Sequence, residues 1–139
     1  MPAGALLRVV LDTNILIAAF RRPEGRYMTI WKAAVDRRYA LLCSPPLLTE
    51  FGQVLRRFQV DEDAVQRALR ALARVAEMVQ PQIDVQAVAA DPDDDRVLEC
   101  AIAGKADLIV SNDRHLRTLR AFRGVAIITG ADFRRILGV

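Results

Sequence analysis

The sequence predicts an α/β fold in which a parallel sheet is covered by helices on both faces. Three observations carry this. Short apolar runs of strand length recur along the chain, at residues 6–11, 40–43, 108–110 and 125–128. Each is nearly continuous rather than alternating, as strands buried on both faces must be. Between them lie longer segments with apolar residues at helical spacing, and parallel strands need such crossover connections.

The elements follow in order. Residues 6–11, with Val9 and Val10 adjacent, form the first strand; Asp12-Thr13-Asn14 ends it and residues 15–20 start a helix. Residues 21–25 are charged and contain Pro and Gly, which makes them a loop. Residues 27–38 read as a helix with Met28, Trp31 and Val35 on one face. Residues 40–43 are the second strand, and Ser44-Pro45 then supplies an N-cap and a first-turn proline. That helix carries an apolar stripe of Leu47, Leu48, Phe51, Val54 and Leu55. Asp61 caps the next, where Val65, Leu69, Leu72, Val75 and Ala76 repeat at helical spacing. Residues 78–81 read as a weak third strand. Asp91-Pro92 opens a helix through Ala103, stopped by Gly104. Residues 108–110 are a strand, 113–119 a short helix, 125–128 a strand and 131–137 the closing helix.

The length of 139 residues suits one domain spanning 1–139, and 53% hydrophobic content excludes intrinsic disorder. The net charge of +3 is mildly favourable to a polyanion. Lys32 and Lys105 are the only lysines; the other cations are arginines, whose planar fork suits phosphate, although genomic composition alone yields the same bias. Cys43 and Cys100 each lie in apolar runs, as buried, reduced thiols do. Nothing at the start reads as a signal peptide and no segment is long enough to span a bilayer, so a soluble, cytoplasmic protein without membrane association is expected.

In an open parallel sheet, function gathers beyond the carboxyl ends of the strands, where the strand order reverses. Asp12 directly follows the first strand, and Asp113 follows the strand ending at Val110. Glu50 lies in the first turns of the helix after Ser44, and Asp94 in the first turn of the helix after Asp91. Each has a plainer role by itself: helix cap for Asp12 and Asp113, solvated residue for Glu50, dipole partner for Asp94 and its neighbours. Joint placement at one edge of the sheet favours function. Carboxylates brought together repel unless a cation neutralises them, and a hard ion such as Mg²⁺ or Mn²⁺ is the natural partner. One histidine and two cysteines leave little material for zinc. An acidic cluster of this kind activates water and stabilises charge on a phosphate under attack.

Four ordered motifs then carry a resemblance. Leu11-Asp12-Thr13-Asn14-Ile15-Leu16, Ser44-Pro45 with Leu48-Thr49-Glu50, Asp91-Pro92-Asp93-Asp94 with Leu98-Glu99-Cys100-Ala101, and the run from Ala106 to Asp113 through Ser111-Asn112 together resemble the PIN family. The likeness is nearest to its bacterial branch of toxin components, related to VapC-type toxins, and covers nearly the whole chain. It implies a PIN-like three-layer α/β/α sandwich with a central parallel sheet of four or five strands. It also implies an Mg²⁺- or Mn²⁺-dependent endoribonuclease with Asp12, Glu50, Asp94 and Asp113 as catalytic and metal-holding acids. Asn14 and Ser111 match accessory polar positions that orient the first and last acids or a water at the metal. The partners it implies are RNA, a cognate antitoxin laid across the acidic groove, and a second copy of the chain. The apolar faces of the 65–75 helix and of the helix bearing Met28 and Trp31 are the candidate dimer surfaces.

This chain departs from the branch by carrying Asp95 where Asn is frequent and His115 where Asp is frequent. Asp95 is thereby a further possible ligand, and His115 a surface or supporting residue. If Pro92 begins the helix, Asp94 stacks one turn before Leu98 on the inward face, Asp95 borders the cleft or solvent, Asp91 is the cap and Asp93 points away. Arg21, Arg22 and Arg26 in the first loop, with Arg114 and Arg117 after Asp113, are candidate RNA contacts or else a solvated rim. No aromatic interleaving among them suggests base stacking. Alternatives remain: an RNA-processing nuclease without antitoxin, or a catalytically silent binding module. A receiver domain fits poorly, because Leu11 precedes a single Asp12 and neither lysine follows a late strand. A dehalogenase-type phosphatase wants a second aspartate where Asn14 stands.

Overall fold

The computed structural model of the chain describes residues 5–85 and 92–139. Its strands are β1 (Arg8–Leu11), β2 (Ala40–Cys43), β3 (Glu77–Met78), β4 (Leu108–Val110), β5 (Ala121–Phe122) and β6 (Val125–Ile128). They form one sheet in the order β3-β2-β1-β4-β6-β5. The first five strands in that order pair in parallel; β5 pairs antiparallel with β6. The expected parallel sheet is therefore present, with one antiparallel strand added at its edge. The helices are α1 (Thr13–Arg21), α2 (Met28–Val35), α3 (Pro45–Arg57), α4 (Glu62–Val75), α5 (Pro92–Ala103), α6 (Arg114–Leu119) and α7 (Gly130–Leu137).

The continuous apolar runs are buried as anticipated: Val9, Val10, Ile109 and Val110 have no exposed surface. The chain moves outward from β1 through β2 to β3, then returns to the other side of β1 with β4. The strand order thus reverses between β1 and β4, which opens a crevice at their carboxyl ends.

Several local expectations are corrected. Ser44 and Asp61 occupy the N-cap positions of α3 and α4, yet neither side chain makes a capping hydrogen bond. The Ser44 hydroxyl instead faces the Cys100 thiol. Burial pushes the Cys43 thiol up to about 11 and the Cys100 thiol to about 12, so both are unreactive and free of disulfide. After α5 the left-handed residue is Lys105 (φ 52°), not Gly104. Gly104 is required for space: a Cβ there would lie 2.6 Å from Leu42 Cδ1. The edge strand β5 is invisible in the sequence pattern because it has only two residues. Its hairpin is closed by Arg123 (φ 50°) and Gly124 (φ 84°), the paired positive φ of a tight primed turn. The expected cap at Asp91 and the outward side chain of Asp93 lie outside the described residues.

The two helical faces considered for dimerisation are committed to the core. Val65 and Leu72 of α4 are fully buried, as is Ile30 of α2, and Trp31 is nearly so. Val35, expected to share the face of Trp31, is 49% exposed. No helix among the described residues is long and apolar enough to cross a membrane.

Arg8 ties the sheet together. Its guanidinium donates to Glu77 at 2.6 and 3.2 Å and to the Gly104 carbonyl at 2.8 Å, while its backbone N–H reaches Asp107 at 2.8 Å. The Arg8 hydrogen bonds hold the Glu77 carboxyl below its ordinary value of 4.5. A depressed carboxylate stabilises the fold above its unfolded pKa, and this contribution fades as pH falls through the folded value. Glu77→Gln is therefore expected to lower stability by less than about 1 kcal/mol near neutrality, since the pair is exposed. The gap in melting temperature between the two proteins should close as pH drops below about 4.5; a gap that widens would refute the assignment.

Candidate active site

The residues that immediately follow the three central strands are Asp12 after β1, Ser44 after β2 and Ser111 after β4. All three are buried, and continuing the strand registers sets Asp12 between the two serines. The ladder itself continues, since Asp12 N–H donates to the Val110 carbonyl and Ser111 N–H to the Ile128 carbonyl, both at 2.9 Å. The crevice between β1 and β4 is thus floored by a carboxylate.

Asp12 is 5% exposed and occupies the N-cap position of α1, but its side chain makes no capping bond. Its Oδ2 accepts the Ser111 hydroxyl at 2.7 Å, and Ser111 Oγ in turn accepts the Asp113 N–H at 3.0 Å. Ser111 thus joins Asp12 to the backbone of Asp113 through its hydroxyl. Glu50 is half-buried on α3 and its Oε2 accepts the Thr13 hydroxyl at 2.8 Å, one residue from Asp12. Asp113 also fulfils its plainer role, because its Oδ1 caps α6 by accepting the His115 and Leu116 N–H groups. His115 is exposed, as a surface residue.

Asp94 and Asp95, in the first turns of α5, are 5% and 4% exposed. Of the two surroundings expected for Asp95, cleft or solvent, its burial leaves only the cleft, since α5 packs against α3 and the central strands. Asp12, Asp94 and Asp95 are deeply buried carboxylates, and like charges brought together favour a cation between them. The acids offer only oxygen donors and so fit a hard divalent cation. Among the described residues no three such side chains converge closely enough to ligate one ion as they stand.

Sequence reasoning missed several members of this region. Glu99, 5% exposed, accepts the Val85 N–H at 2.7 Å and Arg96 at 2.8 Å. Tyr27 accepts Asn112 Nδ2 at 2.6 Å, and Asn112 Oδ1 accepts the Gly130 N–H at 3.0 Å. A Cβ at Gly130 would come within 2.8 Å of the Tyr27 ring, so glycine permits that approach. The candidate RNA arginines divide into two places. Arg21, Arg22 and Arg26 line a groove of 670 Å³ together with Asn14, Tyr27 and Phe58. Arg114 and Arg117 line a separate shallow depression with Arg120.

The family model described as the PIN domain matches residues 8–115, which includes every acid of this site. The chain belongs to the PIN-domain family. Among relatives, this PIN domain is 29% identical over 119 residues to the uncharacterized protein MJ1680 of Methanocaldococcus jannaschii, covering 82% of this chain and 76% of the other. Its fold is similar to that of VapBC2 from Rickettsia felis, solved bound to a DNA fragment from its promoter, with a TM-score of 0.63 and 13% identity over 88% of this chain and 98% of that one. It is similar also to VapC20 of Mycobacterium tuberculosis, described as a Sarcin-Ricin loop cleaving toxin, with a TM-score of 0.59 and 15% identity over 85% and 98% of the two chains.

Proposed function

We propose that this PIN domain is a divalent-metal-dependent endoribonuclease and the toxin of a toxin–antitoxin pair. The observation that carries the reading is Asp12: a buried carboxylate at the switch point of the sheet, aimed by Ser111 and not used as a helix cap. Asp12, Glu50, Asp94 and Asp113 would hold Mg²⁺ or Mn²⁺, with Asp95 as a further oxygen donor and Asn14 at the rim. When bound, the ion would supply a Lewis acid and a more acidic water for attack on a phosphodiester. The chain's own contribution is to fix Asp12 at a strand end through the Ser111 hydroxyl and Glu50 on α3 through the Thr13 hydroxyl. That VapC20 is described as a Sarcin-Ricin loop cleaving toxin supports the toxin reading by analogy.

The test is incubation of the purified chain with a panel of structured and unstructured RNAs, in chelator and in Mg²⁺ or Mn²⁺. Internal cleavage that needs metal is the expected result; intact RNA under every condition would leave a binding module as the better reading. Bound metal should also raise the melting temperature, by about 1.4 kcal/mol of stabilisation at ten times its Kd. Co-expression with the product of a small neighbouring reading frame separates a toxin, which that product silences, from an RNA-processing nuclease, which it does not. A homodimer belongs to the same reading, on a surface other than the two buried helical faces; a monomer mass by light scattering at every concentration would remove it.

A further inference from the structure

The groove beside α1 has a composition that the acidic site does not explain. Asn14, Ile17, Ala18 and Arg21 line it at positions i, i+3, i+4 and i+7, so it runs along one face of α1. It begins at Asn14, two residues beyond Asp12, and ends at Arg21 about 10 Å further on by the helical rise. Its lining also includes Tyr27, whose hydroxyl is held by Asn112, the neighbour of Asp113. At the far end the Arg21 guanidinium lies over the Phe58 ring, 3.9 Å from its centroid. Phe58 is 48% exposed, so part of the platform remains open to a ligand.

Arg21, Arg22 and Arg26 form no salt bridge among the described residues, as is true of most arginines of this chain, so three cations converge on the groove. Glu24, in the same loop, does not line the groove. Flat cationic surface backed by an aromatic ring, with further cations flanking it, is the chemistry that receives an unpaired base and its phosphates. An acidic protein segment would satisfy the arginines by its carboxylates alone, whereas a nucleotide uses both the cations and the platform.

We propose that this groove is a nucleotide subsite for single-stranded polynucleotide, with a base stacked on the Arg21–Phe58 platform and neighbouring phosphates on Arg22 and Arg26. The span from Asn14 to the platform takes about three stacked nucleotides at about 3.4 Å each, which sets the platform a fixed distance from the acids. The proposal rests on the reading of this protein as one that acts on RNA.

Fluorescence anisotropy with a labelled single-stranded RNA 12-mer and the same sequence as duplex, on the full chain in chelator, tests it. Phe58→Ala is expected to weaken single-strand binding about tenfold, to leave the duplex largely unaffected, and to leave the salt dependence unchanged. Phe58→Trp should restore binding. The double variant Arg22→Ala/Arg26→Ala should flatten log K against log salt by about 1.4, at about 0.7 for each phosphate that is no longer neutralised. Melting temperatures check that the variants fold. Wild-type protein that fails to bind the single strand, or variants that bind it as wild type does, would overturn the subsite. So would variants that keep RNA affinity and lose only an oligoglutamate peptide, which would make the groove a protein dock. The two readings fail separately: binding that depends on Phe58 without metal-dependent cleavage keeps the subsite and removes the nuclease. Cleavage with unaltered variant binding does the reverse.

Discussion

Asp12→Asn is expected to abolish metal-dependent RNA cleavage while leaving the fold intact. Asparagine has nearly the same shape, and its side-chain oxygen can still accept the Ser111 hydroxyl that now reaches Asp12 Oδ2 at 2.7 Å. The ladder bond from the residue 12 N–H to Val110 is unaffected, so β1 and β4 stay paired. What disappears is the charge. Supporting residues around metal sites typically cost 10–100-fold when removed, so loss of a ligand should cost at least about 100-fold in rate. In chelator the variant should melt higher than wild type, because one member of a group of like charges has been neutralised. In Mn²⁺ the order should invert, since the ion stabilises only a protein that binds it. Cleavage assays and paired melts check this. A fully active Asp12→Asn protein would place the chemistry elsewhere.

Most of the sheet was legible because parallel strands buried on both faces must be continuously apolar, and residues 40–43, 108–110 and 125–128 are. β5 was not, since two residues carry no periodicity and its pairing is decided by what lies beside it; β3, read as a weak strand over 78–81, lies at Glu77–Met78. The strand ends were equally legible: Asp12, Ser44 and Ser111 announce themselves as polar residues after apolar runs. The caps misled because position does not reveal whether a side chain is used there. Asp12 sits at a cap and spends its carboxylate on Ser111, while Asp113 sits at a cap and does cap. The arginine groove could not be read from local sequence. Its aromatic partner Phe58 closes α3 and reaches Arg21 at the end of α1 only because those two helices pack together. Glu99 was hidden by the same non-locality, since its partner Val85 lies on a different segment.

Asp94→Ala is expected to remove cleavage and Asp95→Ala only to reduce it, although exposure does not separate the two residues. What separates them is the neighbour one turn on. Side chains four apart stack on the same helical face, so Asp94 aligns with Leu98 and Asp95 with Glu99. Leu98 is fully buried, and α5 packs against β1, β2 and β4, so its row points to the sheet. Glu99 faces another way: it accepts the Val85 N–H and Arg96, which places its row toward the segment that carries Val85. Asp94 thus heads the row that leads to the sheet, whose carboxyl end carries Asp12. Asp95 heads a row already occupied with holding that segment against α5. Truncating Asp94 should therefore cost at least about 100-fold in cleavage and weaken the stabilisation by Mn²⁺. Truncating Asp95 should leave most of the metal stabilisation and cost less than about tenfold in rate, below the usual range for a residue that supports a metal ligand. Cleavage rates and melting temperatures of both variants, with and without metal, decide the matter. An inactive Asp95→Ala beside an active Asp94→Ala would assign the metal to the Glu99 side of α5 and exclude the helix phase argued here.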